Sequence, residues 1–362
     1  MAKARTHELP ACYATTMPGL EDVAGEEIEE RLGGEVKKTG PGFVVFRVPE
    51  IDASLLRLRT TEDVFLLAWG SDQLTYRAED LDRIQRWTAQ DADWNRLLQL
   101  HHAVRPKPKG KPTYHLVAQM TGEHGYRRAD AGKAFARGLA GKFPASWKPV
   151  EEDAAVEFWL TIHGQRAVCG LRLSDKTMRH RTYKLEHLPA SLRPTLAAAM
   201  VRLADAQPGQ IVLDPMCGAG TILAEQLEAG RGKVRTWGGD LDRAALRAAG
   251  VNLRRLGQAQ LARWDATRLP LADASVERIV SNPPFGKQLS SPEEIGPLYR
   301  QMLREYQRVL KPNGRAVLLV GEPAVLRDAA HQVGWQKHRE LRVRVLGQPA
   351  AVTVWTRPGG SS

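Results

Sequence analysis

The stretch Ile211-Val212-Leu213 runs straight into Asp214-Pro215-Met216-Cys217-Gly218-Ala219-Gly220-Thr221 and then into an apolar-periodic segment, 222–227. Few folds admit that order, which reads as strand, glycine loop, helix. Gly218 and Gly220 let the backbone come close to a ligand, and the free N–H groups of the helix start suit a carboxylate or phosphate. A dinucleotide fold would carry Gly-x-Gly-x-x-Gly here; Leu223 holds the third glycine position, which disfavours a nicotinamide cofactor. Asp214, heading the loop, suits a cationic ligand better than a pyrophosphate. From residue 189 onward strand and helix patterns alternate, as a doubly wound parallel α/β sheet requires.

Two more carboxylates follow short strand-like stretches. Asp240 ends Thr236-Trp237-Gly238-Gly239, where it can accept both hydroxyls of a ribose, and Asp265 follows Leu261-Ala262-Arg263-Trp264, where it can take the hydrogens of an adenine amine. Asp242 is a rival to Asp240, although it also reads as the N-cap of a helix over 243–256. An acid-headed loop followed by two such carboxylates fits S-adenosylmethionine, which carries a sulfonium and an ammonium. Downstream, the apolar run 276–281 ends in Asn282-Pro283-Pro284-Phe285. The Asn282 side-chain carbonyl and the Pro283 backbone carbonyl can each accept one hydrogen of an exocyclic amine, the prolines stiffen the loop, and Phe285 offers a ring for a nucleobase. Asn282, Pro283 and Phe285 are therefore the catalytic candidates, with Asn282 also bordering the cofactor. A Pro-rich turn closing a strand is the structural alternative.

These ordered motifs resemble those of class I S-adenosylmethionine-dependent methyltransferases, in the Asn-Pro-Pro-aromatic version that acts on exocyclic amines of adenine or guanine. Thr16-Met17-Pro18-Gly19-Leu20-Glu21, Arg179-His180-Arg181-Thr182-Tyr183 and Ala190-Ser191-Leu192-Arg193-Pro194-Thr195-Leu196 resemble the THUMP-domain RNA guanine-N2 methyltransferases, and nearest to them the branch that acts at guanosine 6 of tRNA. His180-Arg181-Thr182-Tyr183 departs from the Arg-Gly-Tyr of many relatives. The resemblance implies a ferredoxin-like α+β domain over 1–60, a THUMP domain over 62–172, a linker over 173–188 and a class I methyltransferase domain over 189–362. It implies a tRNA substrate and a cofactor set of Thr195, Asp214, Cys217, Gly218, Gly220, Thr221, Asp240, Asp265 and Asn282. Guanine-N2 methylation at another tRNA position or in ribosomal RNA, or a non-catalytic RNA-binding role, are the alternatives.

Charge placement agrees with a polyanionic partner. The 362 residues carry a net charge of +11, yet residues 1–100 hold 12 Lys and Arg against 18 Asp and Glu, whereas residues 101–150 hold 10 against 2 and residues 301–362 hold 10 against 4. Basic patches of that kind attract nucleic acid with strong salt dependence. Arg127 and Arg128 before a helix over 130–141, with Lys133 and Arg137 on it, form an expected RNA edge; Arg181 and Lys287 complete the set. A longer helical region spans 81–102, and an exposed Pro/Lys loop spans 105–112. Cys12, Cys169 and Cys217 lack metal or disulfide spacing, and neither a signal core nor a membrane-length apolar run is present. A cytoplasmic, metal-free monomer is the expectation, with His180, His187 and His331 outside the chemistry and Cys217 contributing compactness to the cofactor loop.

Overall fold

The computed structural model describes residues 9–105, 110–189, 191–285 and 295–359. The chain divides into two compact units, Met1–Thr15 with Gly25–Met178, and Thr16–Ala24 with Arg179–Ser362.

In the first unit the elements are β1 (Cys12–Thr15), most of α1 (Glu21–Leu32), β2 (Glu35–Gly40), β3 (Phe43–Arg47), β4 (Asp63–Ser71), α2 (Asp80–Gln90), α3 (Trp94–Val104), β5 (Thr113–Thr121), α4 (Arg128–Leu139), β6 (Lys148–Pro149), β7 (Val156–His163) and β8 (Arg166–Arg172). The strands form one sheet in the order β2-β3-β1-β4-β8-β7-β5-β6. β4 pairs with β1 on one side and β8 on the other, so one strand joins the segments 1–60 and 62–172 in a continuous sheet. The helical region expected over 81–102 is two helices. Asp91 closes α2, and the Asp93 side chain accepts from the Arg96 amide at 3.1 Å to open α3. The Pro/Lys loop falls in part on residues 106–109, outside the described residues.

The second unit takes α6 (Pro194–Ala204), β9 (Ile211–Asp214), α7 (Thr221–Gly230), β10 (Arg235–Asp240), α8 (Arg243–Leu253), β11 (Ala259–Arg263), β12 (Val276–Ser281), α9 (Ile295–Val309), β13 (Leu310–Val320), α10 (Pro323–Gln332), β14 (Gln336–Val345) and β15 (Gln348–Thr356). The short α5 (Lys176–His180) precedes them, within the stretch expected as linker. The sheet order is β11-β10-β9-β12-β13-β15-β14, parallel as far as β13 and antiparallel through the last two strands. That closing antiparallel pair, β14 and β15 joined at Leu346-Gly347, separates this sheet from a simple dinucleotide fold. Apolar residues pack on both faces. Ile211, Leu213, Tyr299 and Trp355 lie in the core formed with α9 and α10, while Val212, Val280, Leu196 and Met200 lie in the core formed with α6. Leu223, where a dinucleotide fold would have glycine, is accommodated because Gly238 opposite it has no side chain; a Cβ there would stand 2.3 Å from Leu223.

Candidate functional site

A cleft of about 390 Å³ opens at the carboxyl ends of β9, β10 and β12, where doubly wound sheets bind ligands. Asp214, Cys217, Gly218, Thr221, Asp240, Asp265 and Asn282 all line it, so residues spread over nearly seventy positions converge. Gly220 supplies the turn instead: at φ +77 it caps α7 and does not border the cleft. Gly218, at φ +52, lines the cleft with nothing within 4 Å of where a Cβ would be, which leaves room for a ligand against its backbone.

The carboxylates are held differently. Asp240 accepts from the Gly218 amide at 2.9 Å and from the Asp242 amide at 2.9 Å, so the glycine loop and the end of β10 move as one. Asp242 caps α8 through the Ala244 amide at 2.7 Å and does not line the cleft, whereas Asp240 does. Asp265 is exposed and accepts from the Thr267 amide at 2.8 Å and hydroxyl at 2.7 Å. Asp214 is buried, and its carboxyl is pushed up to about 7, chiefly by desolvation and further by the charge of Asp240, against the hydrogen bonds of Ser281 and the Met216 amide. The Cys217 thiol is also pushed up by burial, which removes it as a nucleophile at neutral pH.

At the end of β12 the Asn282 side-chain oxygen is buried without a hydrogen-bond partner among the described residues. A buried acceptor left open costs stability unless a ligand fills it, and an N–H donor is what this one fits. Pro284 lines the cleft; Pro283 is buried and Phe285 half-buried, and neither borders it. Phe285 packs instead against Gly321 and the α6-side core, which corrects its expected position as a ring facing the cleft.

Further corrections concern two residues, Thr195 and Arg181. Thr195 sits buried in the first turn of α6 and does not line the cleft; Ser191 and Leu192 just before it do. Arg181 is buried against Glu225 at 3.2 Å, and Tyr183 donates to the same carboxylate at 2.7 Å, so Arg181 fastens the entry of the second unit and presents no charge to RNA. Lys287 lies outside the described residues. On the first unit, Arg127, Arg128, Lys133 and Arg137 are exposed at the start of α4 and along it, with Arg137 donating to Gln85 at 2.8 Å.

Sequence reasoning missed Asn252. Its oxygen accepts from the Leu185 and Glu186 amides, each at 2.8 Å, and its amide donates to Ala219 O at 2.9 Å and Glu186 O at 3.1 Å. One buried side chain thus pins the strap leading to Leu188 and Leu192 against the glycine loop. The available signal was a single amide on the apolar face of α8. Trp264, which donates to Pro215 O at 3.0 Å, fixes the loop from the opposite wall.

Among the described residues no group of His, Cys, Asp and Glu could hold a metal ion, and no helix is long and apolar enough to cross a membrane. The sheet, its antiparallel closure and the cleft define a class I S-adenosylmethionine-dependent methyltransferase. Residues 181–349 match the family described as RMKL-like, methyltransferase domain. Over 321 residues the chain is 31% identical to a tRNA (guanine(6)-N2)-methyltransferase of Thermus thermophilus, covering 87% of this chain and 90% of that one. It is 32% identical over 263 residues to the Bos taurus tRNA (guanine(6)-N(2))-methyltransferase THUMP3, covering 67% of this chain and 51% of the bovine protein. The crystal structure of TrmN from Thermus thermophilus superposes with a TM-score of 0.77 at 29% identity, covering 96% of this chain and 99% of that chain. The chain belongs to the THUMP-domain tRNA (guanine-N2-)-methyltransferase family.

Proposed function

We propose that this chain transfers a methyl group from S-adenosylmethionine to N2 of a guanosine in tRNA, at position 6. The single observation that carries the chemistry is the open, buried oxygen of Asn282 beside a cleft lined by three carboxylates. The cofactor supplies an activated methyl on sulfur. Asp240 would hold its ribose, Asp265 its adenine amine, and Asp214 its cationic end, with Gly218 giving backbone access.

The guanine amine is a poor nucleophile because its lone pair is delocalised into the ring. Asn282 and the Pro283 carbonyl, accepting one hydrogen each, would draw the nitrogen toward tetrahedral geometry and orient its lone pair into the cleft. Positioning and charge placement then carry most of the acceleration. No strong base is required, because the proton leaves after the nitrogen has become cationic. A base within a helix must be flipped out to reach this loop.

The names of the Thermus and bovine relatives support tRNA and position 6. The basic start of α4 supports RNA docking on the first unit, and the division of that unit into a ferredoxin-like part and a THUMP part remains our reading of residues 1–172. Three buried free cysteines support a reducing, cytoplasmic setting; that the protein acts as a monomer is part of the same proposal. The test is nucleoside mass spectrometry of tRNA and ribosomal RNA from a deletion strain: loss of N2-methylguanosine from one tRNA position supports the reading, and loss confined to ribosomal RNA overturns it.

A further inference from the structure

A second cleft, of about 570 Å³, lies in the same unit between the start of α10 and the closing hairpin. Its charged lining is Arg327, Arg342, Arg344 and Glu340. The one carboxylate is already engaged, 2.8 Å from Lys337 and 3.7 Å from Arg327. The Arg342 side chain is exposed and makes no hydrogen bond or salt bridge among the described residues. The Nε of Arg327 is buried without a hydrogen-bond partner among them. Three guanidiniums against one spoken-for carboxylate leave an excess of positive charge in a concave site.

Its place in the sheet says what that charge faces. β15 runs antiparallel to both β13 and β14, pairing Ala351 with Val320 on one side and with Arg342 on the other. The end of β14 and the start of β15 therefore lie on the edge where β9, β10 and β12 end, the edge that carries Asp214, Asp240 and Asn282. Gly321, which lines the second cleft, is the residue Phe285 packs against; a Cβ there would stand 3.3 Å from Phe285. Phe285, which ends the loop of Asn282, thus packs on a residue that lines the arginine cleft. The shape of the wall depends on the Thr16-Met17-Pro18-Gly19 segment, whose Pro18 and Gly19 also line the cleft. Gly19 sits at φ +97 where any Cβ would fall 1.9 Å from the Arg342 carbonyl oxygen.

We propose that this cleft binds a backbone phosphodiester of the substrate RNA next to the guanosine presented to Asn282. The proposal rests on the RNA methyltransferase reading above. Arginine forks suit phosphate oxygens, and a phosphate held here would fix the strand while its neighbouring base enters the amine pocket. This gives the catalytic unit its own grip on the RNA, separate from the basic start of α4.

The experiment uses the full chain and a tRNA transcript. Replacing Arg342→Gln with Arg344→Gln should raise KM for tRNA roughly tenfold and flatten the slope of log affinity against log salt by about one per arginine lost, with turnover at saturating tRNA and S-adenosylhomocysteine binding unchanged. Pro349→Glu, which adds a carboxylate at the exposed rim and leaves every arginine in place, should also raise KM for tRNA and make the salt slope shallower, because it offsets one positive charge of the cleft, and decides the matter if the double variant misfolds. A single methylphosphonate beside the target guanosine should weaken wild-type binding and leave the double variant unaffected. Wild-type affinity and salt slope in Pro349→Glu and in a folded double variant overturn the proposal. If those variants match a wild type that methylates tRNA, the cleft assignment alone falls; a wild type with no salt-dependent tRNA binding sinks both readings.

Discussion

The Ser281 hydroxyl donates to the Asp214 carboxylate across 3.1 Å, joining the end of β12 to the end of β9 beneath the cofactor loop. Even so, burial holds the Asp214 carboxyl up at about 7 against an ordinary value of 3.8. Because the folded pKa is raised, the contribution of this group to stability is complete below pH 3.8 and is lost as pH rises to about 7. A shift of that size corresponds to roughly 4 kcal/mol. Urea unfolding of the cofactor-free protein should show this loss, and Asp214→Asn should flatten it. Pairing with a cation ionises the group, so S-adenosylmethionine affinity should rise with pH through about 7 and binding at pH 6 should release a proton. Calorimetry in buffers of different ionisation enthalpy reads this directly; pH-independent affinity with no proton release would remove Asp214 from the cationic end.

Asn282→Ala and Asp240→Ala should fail in different ways. The Asn282 side-chain oxygen has no hydrogen-bond partner among the described residues, so its loss should lower turnover on the order of 10²-fold with cofactor affinity little changed. Asp240 accepts the Gly218 and Asp242 amides, so its loss should chiefly weaken cofactor binding. Equal losses of affinity in the two variants, measured by calorimetry, would refute the division of labour.

How much of this was readable beforehand varies with the physics. The alternating pattern and the three acid-ended strands placed the sheet and most of the cleft, because each carboxylate follows its own strand locally. Asn252 and Ser281 were not readable: the partners of Asn252 lie 33, 66 and 67 positions away and that of Ser281 lies 67 away, and an isolated polar residue on an apolar face carries no sign of what it will meet. Arg181 was misassigned because net positive charge around residue 180 is visible in the sequence and Glu225, which buries it, is not. Phe285 was misplaced for a similar reason, since only the fold brings Gly321 beneath its ring.

Asn252 gives a stability test with a functional reading. Asn252→Ala takes an acceptor from the half-buried Leu185 and Glu186 amides and leaves the buried Ala219 carbonyl without its donor, a loss of about 1–2 kcal/mol, and frees the strap over the cleft. Cofactor affinity should drop with it, and hydrogen exchange at Leu185 and Glu186 should quicken. Unchanged exchange at those two amides would mean that the strap is held by other contacts.

Reversing charge at Arg127, Arg128 and Lys133 should weaken tRNA binding and lessen its salt dependence, because fewer counterions are released. S-adenosylhomocysteine binding should stay as in the wild type. Identical tRNA affinity and methylation across a salt series would show that this edge of α4 is a solvated face.

The most direct test of the whole reading is digestion and mass spectrometry of a defined tRNA after incubation with the purified chain and isotopically labelled S-adenosylmethionine, run beside Asn282→Ala. Label should appear as N2-methylguanosine at position 6, and the variant should produce on the order of 10²-fold less. Label in another base, at another atom of guanine, or at an undiminished rate in Asn282→Ala would contradict it.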